Sequence, residues 1–381
     1  MQNWLLPEYI QDMLPDEAWR VERMRDQLLD LMRKSGYQLV APPLLEYAQS
    51  LLIDDSADMD LRTFKLVDQL SGRTLALRAD ITPQVARIDA HLLNQQGVAR
   101  LCYAGSVLHT TPAGLNRTRE LLQIGAELYG HGGIESDLEI QQLMLQSLSL
   151  LGVQDVHLDL GHVGVFRAVA RHAKLEKRIE NELFVALQSK DSTTLSELVT
   201  GLDDVSRRAL LALPTLYGDC DEVLARARKE LPDLPQIRTA LDDLQTVAAK
   251  LQVADIGIDL ADLRGYHYHS GMVFAAYHAG SHDAIALGGR YDDLGKSFGR
   301  ARAATGFSMD LRLLYRLLPL MGERLAIRAP YDAAEAVAAL REAGEVVVVS
   351  LPGSIDYPDE CKCDRELVLQ SGVWQVVAIN R

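Results

Sequence analysis

Residues 100–108, "RLCYAGSVL", and 120–130, "ELLQIGAELYG", read as two long strands joined by a loop of Thr, Pro, Ala, Gly and Asn. Strand patterns flanking such a loop form an antiparallel hairpin. A second hairpin follows the same logic, with "TFKLVD" and "TLALR" on either side of the turn signal "QLSGR". Strands joined by tight turns argue for a mixed, mainly antiparallel sheet rather than a doubly wound one. No GxGxxG or P-loop follows any strand, so dinucleotide-binding and Walker readings are weak. The long hairpin has a shape that often holds a nucleotide phosphate. Its rising strand nevertheless ends in Leu108-His109-Thr110-Thr111, with neither Arg nor acid.

Helical patterns surround these strands. In "LPDEAWRVERMRDQLLDLMRKSGY", Trp19, Val21, Met24, Leu28, Leu31 and Met32 fall close to helical spacing, with Asp16 as N-cap and Gly36 as C-cap. "TPQVARIDAHLL" begins a helix with Thr82 as cap and Pro83 at its first position. From 168 to 251 the pattern is almost wholly helical, punctuated by "GLDD", "YGDC" and "LPDLP". Strands return in "DIGIDL", "MVFAAY" and "AIALGG". "EVVVVSL" and "RELVLQSGVWQVVAIN" then close the chain in a small α/β unit ending on a hairpin. The expected organisation is an α+β core of residues 1–167 and 252–322, a helical insertion over 168–251, and a small C-terminal α/β domain over 323–381.

The charge balance is acidic, with 39 Lys and Arg against 53 Asp and Glu. Nucleic-acid binders usually carry a basic face, so RNA and DNA are not expected partners. Cys102 sits in an apolar strand as a small core residue. Cys361 and Cys363 make half a zinc ligand set at best, so no metal is expected. "MQNWLLPEYI" lacks a basic n-region and a long apolar run, and no segment reaches the ~20 apolar residues of a membrane span. A cytoplasmic protein is the expectation.

Four stretches concentrate polar residues and glycines at strand ends. In "LALRADITPQVAR", Asp80 can accept from a ligand ammonium and Arg78 can grip a carboxylate; the bland alternative is an Arg-Asp ion pair and helix cap. On the returning hairpin strand, Gln123 and Glu127 share one face with Gly125 leaving space between them, unless that face is simply solvated. "DLRGYHYHSGMVF" suits an aromatic pocket wall with Arg264 as an anion clamp; a metal reading of His267 and His269 lacks further ligands. In "ALGGRYDDLGKSFG", paired glycines let the backbone approach a ligand, or else form a turn capped by Asp292.

In this order, the four stretches resemble histidyl-tRNA synthetase, a class II aminoacyl-tRNA synthetase. "LRADIT" matches that family's "LRPE.T", residues 100–130 its motif 2 hairpin, "DLRGYHYH" its "LVRGLDYY", "LGGRYDDL" its "GGGRYDGL", and "GFSMDLRLL" its motif 3 "GFAMGLERL". "APPLLEY" resembles motif 1, which implies a class II-like dimer. The departures fall on charges. Where the family holds ATP through a motif 2 Arg and an acid two residues later, this chain has His109 and Thr111. The motif 3 Glu-Arg pair is Arg312-Leu313, and the histidine-specific Asp and second Tyr are His267 and His269. Each lost phosphate-gripping charge is commonly worth factors of about 10² to 10³ in rate, so adenylation is expected to be slight. Arg117 or Arg119 offers a replacement from the hairpin.

The profile is similar to the regulatory subunits of ATP phosphoribosyltransferase, synthetase paralogues in the first step of histidine biosynthesis. That resemblance implies a non-catalytic subunit without cofactor, partnered by a short-form catalytic subunit in a hetero-octamer, with histidine as inhibitory effector. Carried over residue by residue, the effector pocket is Asp80, Thr82, Gln123, Glu127, Arg264 and Tyr268. The alternative is a paralogue that still activates an amino acid.

Overall fold

In a computed structural model of the chain, the helix Pro15–Lys34 buries Val21, Met24, Leu28 and Met32. The described residues are 4–52, 57–112, 118–251, 253, 255–266, 268–281, 283–318, 325–353 and 362–379. Trp19 belongs to the expected apolar stripe but is 71% exposed. It sits about 200° around the helix from Val21, on the opposite face. Leu14 is the N-cap and Asp16 lies in the first turn, where its charge complements the helix dipole. Gly36, just past the last turn, has φ +86°, the left-handed conformation that ends many helices.

One large sheet dominates the first compact unit, Met1–Leu318. Its strands in chain order are β1 (Gln38–Leu39), β2 (Ala99–Leu108), β3 (Glu120–Tyr129), β4 (His157–His162), β5 (Tyr217–Asp219), β6 (Asp255–Asp259), β7 (Met272–Tyr277), β8 (Ala286–Arg290) and β9 (Ala304–Asp310). Their spatial order is β1-β2-β3-β9-β8-β7-β4-β6-β5. Only β1–β2 and β4–β6 are parallel. The expected α+β class, with a mainly antiparallel sheet flanked by helices, therefore holds. The hairpin supplies β2 and β3, ten residues each, paired from Ala99 opposite Tyr129 to Leu108 opposite Glu120. The second expected hairpin forms a separate three-stranded sheet of Leu45–Tyr47, Thr74–Leu77 and Lys65–Val67.

The segment read as almost wholly helical contributes one strand as well. Its "YGDC" punctuation is β5, which extends the large sheet at its edge. Asp219 ends that strand and caps the next helix, Cys220–Glu230, by accepting from the amides of Asp221 and Glu222. The second unit, Pro319–Arg381, holds a four-stranded sheet and the helix Ala334–Glu342 around Ile327, Val337, Val347 and Leu367. Its closing hairpin joins Cys363–Gln370 to Val373–Ala378 through Ser371 and Gly372, both at positive φ, as a two-residue turn of this twist requires. Cys102 and Cys363 are buried, while Cys361 lies outside the described residues. No helix among the described residues is long and apolar enough to cross a membrane.

Candidate functional site

Glu127 lies on β3 and is fully buried. Its Oε1 accepts from the Tyr103 hydroxyl at 3.0 Å, and its Oε2 accepts from the Tyr291 hydroxyl. Burial pushes the carboxyl up to about 8; the Tyr291 hydroxyl opposes this shift and the nearby Asp80 charge adds to it. In the sheet register Glu127 stands opposite Gly306 of β9. A Cβ on Gly306 would fall within the van der Waals radius of Oε2, so the carboxylate occupies the space that this glycine vacates.

Asp80 precedes the helix Thr82–Arg87 and accepts from both the amide and the hydroxyl of Thr82, each at 3.1 Å. Thr82 is thus the first helical residue, not the cap: Ile81 holds the N-cap position, and Asp80 just before it accepts from the first helical amide. Gln123 donates to Asp80 at 2.8 Å and accepts from the Ile81 amide at 2.9 Å. It fixes the acid from behind and does not itself face the cavity described below. The Thr82 hydroxyl lies 3.2 Å from that of Tyr103, linking Asp80 to Glu127 in one network.

Two expectations need correction here. Gly125 does not open a ligand floor: the Tyr103 ring fills its missing side-chain space on the way to Glu127. Arg78 neither faces a ligand nor pairs with Asp80. Its Nε and Nη1 donate to the carbonyls of Ser106 and Pro42, both at 2.8 Å, tying the 42–44 segment to β2.

A cavity of about 670 Å³ opens beside this network, lined by Asp80, Thr82, Glu127, Arg264 and Tyr268 among others. The Tyr268 hydroxyl is buried with no hydrogen-bond partner among the described residues. The expected free clamp, Arg264, is already engaged. Its Nε donates to Asp262 at 2.8 Å and its Nη2 bonds the second carboxylate oxygen. Burial works against the guanidinium charge, but Asp262 overrides it and raises the pKa. The bidentate partner sits only two residues upstream, outside any helix or strand whose period would have paired the two side chains. Arg62 also lines the cavity and was not anticipated.

His269 packs against two glycines: a Cβ on Gly265 would lie 2.6 Å from its Nδ1, and one on Gly289 2.7 Å from its Cδ2. Burial lowers its imidazole to about 4, leaving it neutral, and its Nδ1 lies 3.1 Å from the Arg264 carbonyl. His267 lies outside the described residues. No group of three His, Cys, Asp or Glu among the described residues could hold a metal. Tyr291, whose hydroxyl bonds Glu127, was missed because only the sheet's register brings them together. Asp292 takes the bland role, accepting from the Ala304 amide at 3.0 Å.

The positions expected to hold phosphate face elsewhere. His109 Nε2 lies 2.9 Å from the Ala79 carbonyl, and Thr111 is exposed. Arg312 pairs with Glu120 at 3.3 Å, and Leu313 packs against the core. Arg119 donates to the His109 carbonyl and lies over the Phe64 ring, while Arg117 lies outside the described residues. The cavity therefore offers carboxylates and phenols suited to an ammonium, with Arg264 and Arg62 at its margin.

Residues 9–314 match the family model for histidyl-tRNA synthetase, and residues 324–377 match that for the ATP phosphoribosyltransferase subunit HisZ C-terminal domain. A relative from Ralstonia nicotianae named ATP phosphoribosyltransferase regulatory subunit is 58% identical, covering 99% of this chain and 98% of its own length. One of the same name from Nitrosomonas eutropha is 56% identical over the whole of both chains. A crystal structure from Bacillus halodurans, described as an ATP phosphoribosyltransferase regulatory subunit/histidyl-tRNA synthetase, has TM-score 0.81 at 27% identity and covers 94% of this chain and 96% of that one. A histidyl-tRNA synthetase from a Nostoc species has TM-score 0.79 at 18% identity, covering 99% and 97%, and bears on the fold alone.

Proposed function

The chain belongs to the ATP phosphoribosyltransferase regulatory subunits, and we propose that it acts as a non-catalytic partner that switches on a short-form catalytic subunit and conveys inhibition by histidine. One observation carries this reading. Two carboxylates suited to an amino-acid ammonium, the buried Glu127 and the half-buried Asp80, line one cavity, while His109 and Leu313 stand where phosphate-gripping arginines are expected and are engaged elsewhere. In the bound state, Asp80 and Glu127 receive the α-ammonium of histidine, with Gln123 holding Asp80 in place. The Tyr268 hydroxyl meets the imidazole ring. Arg264 meets the carboxylate with the part of its guanidinium not turned to Asp262.

The complex is a cytoplasmic hetero-octamer in which this chain self-associates as a class II-like dimer. Exposure of Leu39, Leu44 and Leu45 in the motif 1 region supports that surface. Regulation is linkage: histidine favours one state of the complex, and a coupling of about 1–3 kcal/mol is enough for a useful switch. The test is reconstitution with a short-form catalytic subunit, following phosphoribosyl transfer. Activity and histidine sensitivity should both depend on this chain. Equal turnover and equal sensitivity without it would overturn the proposal. ATP–pyrophosphate exchange with histidine should stay at background.

A further inference from the structure

The loop that carries Arg264 and Tyr268 into the cavity has a second attachment. Between those two residues, Tyr266 stacks on Phe184 of the insertion helix Lys177–Gln188, with ring centres 5.3 Å apart and planes 25° apart. Its hydroxyl donates to Glu180 on the same helix. Phe166 meets the ring edge-on at 5.2 Å, and Arg167 donates to the Tyr266 carbonyl at 2.7 Å while lying over the ring. Leu183 and Leu187 bury the inner face of that helix.

On the cavity side, Tyr268 lies 5.0 Å from Tyr291, whose hydroxyl reaches Glu127. Tyr291 and Tyr268 thus tie the buried carboxylate to this loop, and Tyr266 of the same loop holds the insertion helix, whose Phe184 and Gln188 also line the cavity. Within the loop, the amides of Tyr268 and His269 both donate to the Gly265 carbonyl, at 2.7 and 2.6 Å. Gly265 sits at φ +63° with the His269 ring packed against it, and His269 is held by Gly289 from the other side. The unpartnered Tyr268 hydroxyl gives a ligand a point to pull on.

We infer that Tyr266 is a positioning residue that transmits occupancy of the cavity to the insertion helix Lys177–Gln188. The inference rests on the reading that the cavity takes histidine. Ligand contacts at Tyr268 and Arg264 fix one face of the loop, and the Tyr266 stack and hydroxyl then fix the helix. The decisive observation is a response of the helix to the ligand.

The experiment is amide hydrogen exchange of the full chain with and without histidine, alongside calorimetric titration of the same samples. In the native chain, histidine should slow exchange in Lys177–Gln188 roughly fivefold, as a coupling of ~1 kcal/mol requires. E180A removes the hydroxyl's acceptor without touching the cavity lining. Y266F keeps both ring contacts and loses only the hydroxyl. E180A should still bind histidine, and both variants should lose the protection. In the reconstituted complex they should raise the half-inhibiting histidine concentration by a similar factor. Heat of binding without slowed exchange in that helix overturns the inference and leaves the proposed function standing. No heat of binding, alone or in the complex, overturns both. Unaltered protection in both variants assigns the transmission to residues other than Tyr266 and overturns it too.

Discussion

Replacing Glu127 with Gln removes one proton-binding site while keeping the shape of the protonated acid, and the stability consequence follows from burial. The side chain is 1% exposed, and its carboxyl moves from the ordinary 4.5 to about 8. Between those values the unfolded chain has released its proton and the folded chain still holds one. Stability falls wherever the folded state binds more protons, so the native chain loses stability as pH rises from 4.5 to about 8 and then levels off. The Glu127 contribution is fully present below 4.5 and amounts, when lost, to roughly 5 kcal/mol. E127Q has no proton to lose, and its amide still bonds the Tyr103 and Tyr291 hydroxyls. The measurement is urea unfolding of both proteins at pH 5, 6, 7 and 8. E127Q should gain on the native chain by about 1.4 kcal/mol per pH unit across that window. A difference that stays flat from pH 5 to 8 would refute the reasoning, because it would mean Glu127 ionises in the fold as readily as outside it.

The same proton governs ligand binding in the proposed function. An ammonium that pairs with the Glu127 carboxylate must expel it, so histidine affinity should rise with pH up to about 8. Calorimetry in buffers of different ionisation heat should register proton release; identical heats in all buffers would contradict this. G306A places a Cβ against Glu127 Oε2 and should cost about 1–3 kcal/mol or more by overpacking, read as a lowered melting temperature. R290A leaves Asp137 buried without its partner and should cost about 3–5 kcal/mol. R178A, in an exposed pair with Glu182, should stay within about 0.5 kcal/mol in the same melting assay. H109R should not restore ATP–pyrophosphate exchange, because the side chain at 109 is directed to the Ala79 carbonyl and position 313 remains Leu.

The hairpin and the facing of side chains on its returning strand were legible because alternation with period two fixes which residues share a face before any partner is known. Gln123 and Glu127 read correctly as one face on that rule alone. Helical spacing identified Val21, Met24, Leu28 and Met32 in the same way, and failed for Trp19 because a residue near the stripe in sequence can lie on the far side of the helix. The destination of each polar side chain was not legible, for a different reason. Local rules say what a residue can bond, whereas its partner is chosen by register and by neighbours from distant segments. Gly125 looked like an opening, and Tyr103 from the facing strand fills it. Arg264 looked like a free clamp, and Asp262 claims two of its nitrogens. Tyr291 drew no attention in its sequence context, yet holds one oxygen of the buried carboxylate from a different strand pair. His109 and Leu313 could be judged from residue type because no neutral side chain reproduces a guanidinium fork, whichever way it points.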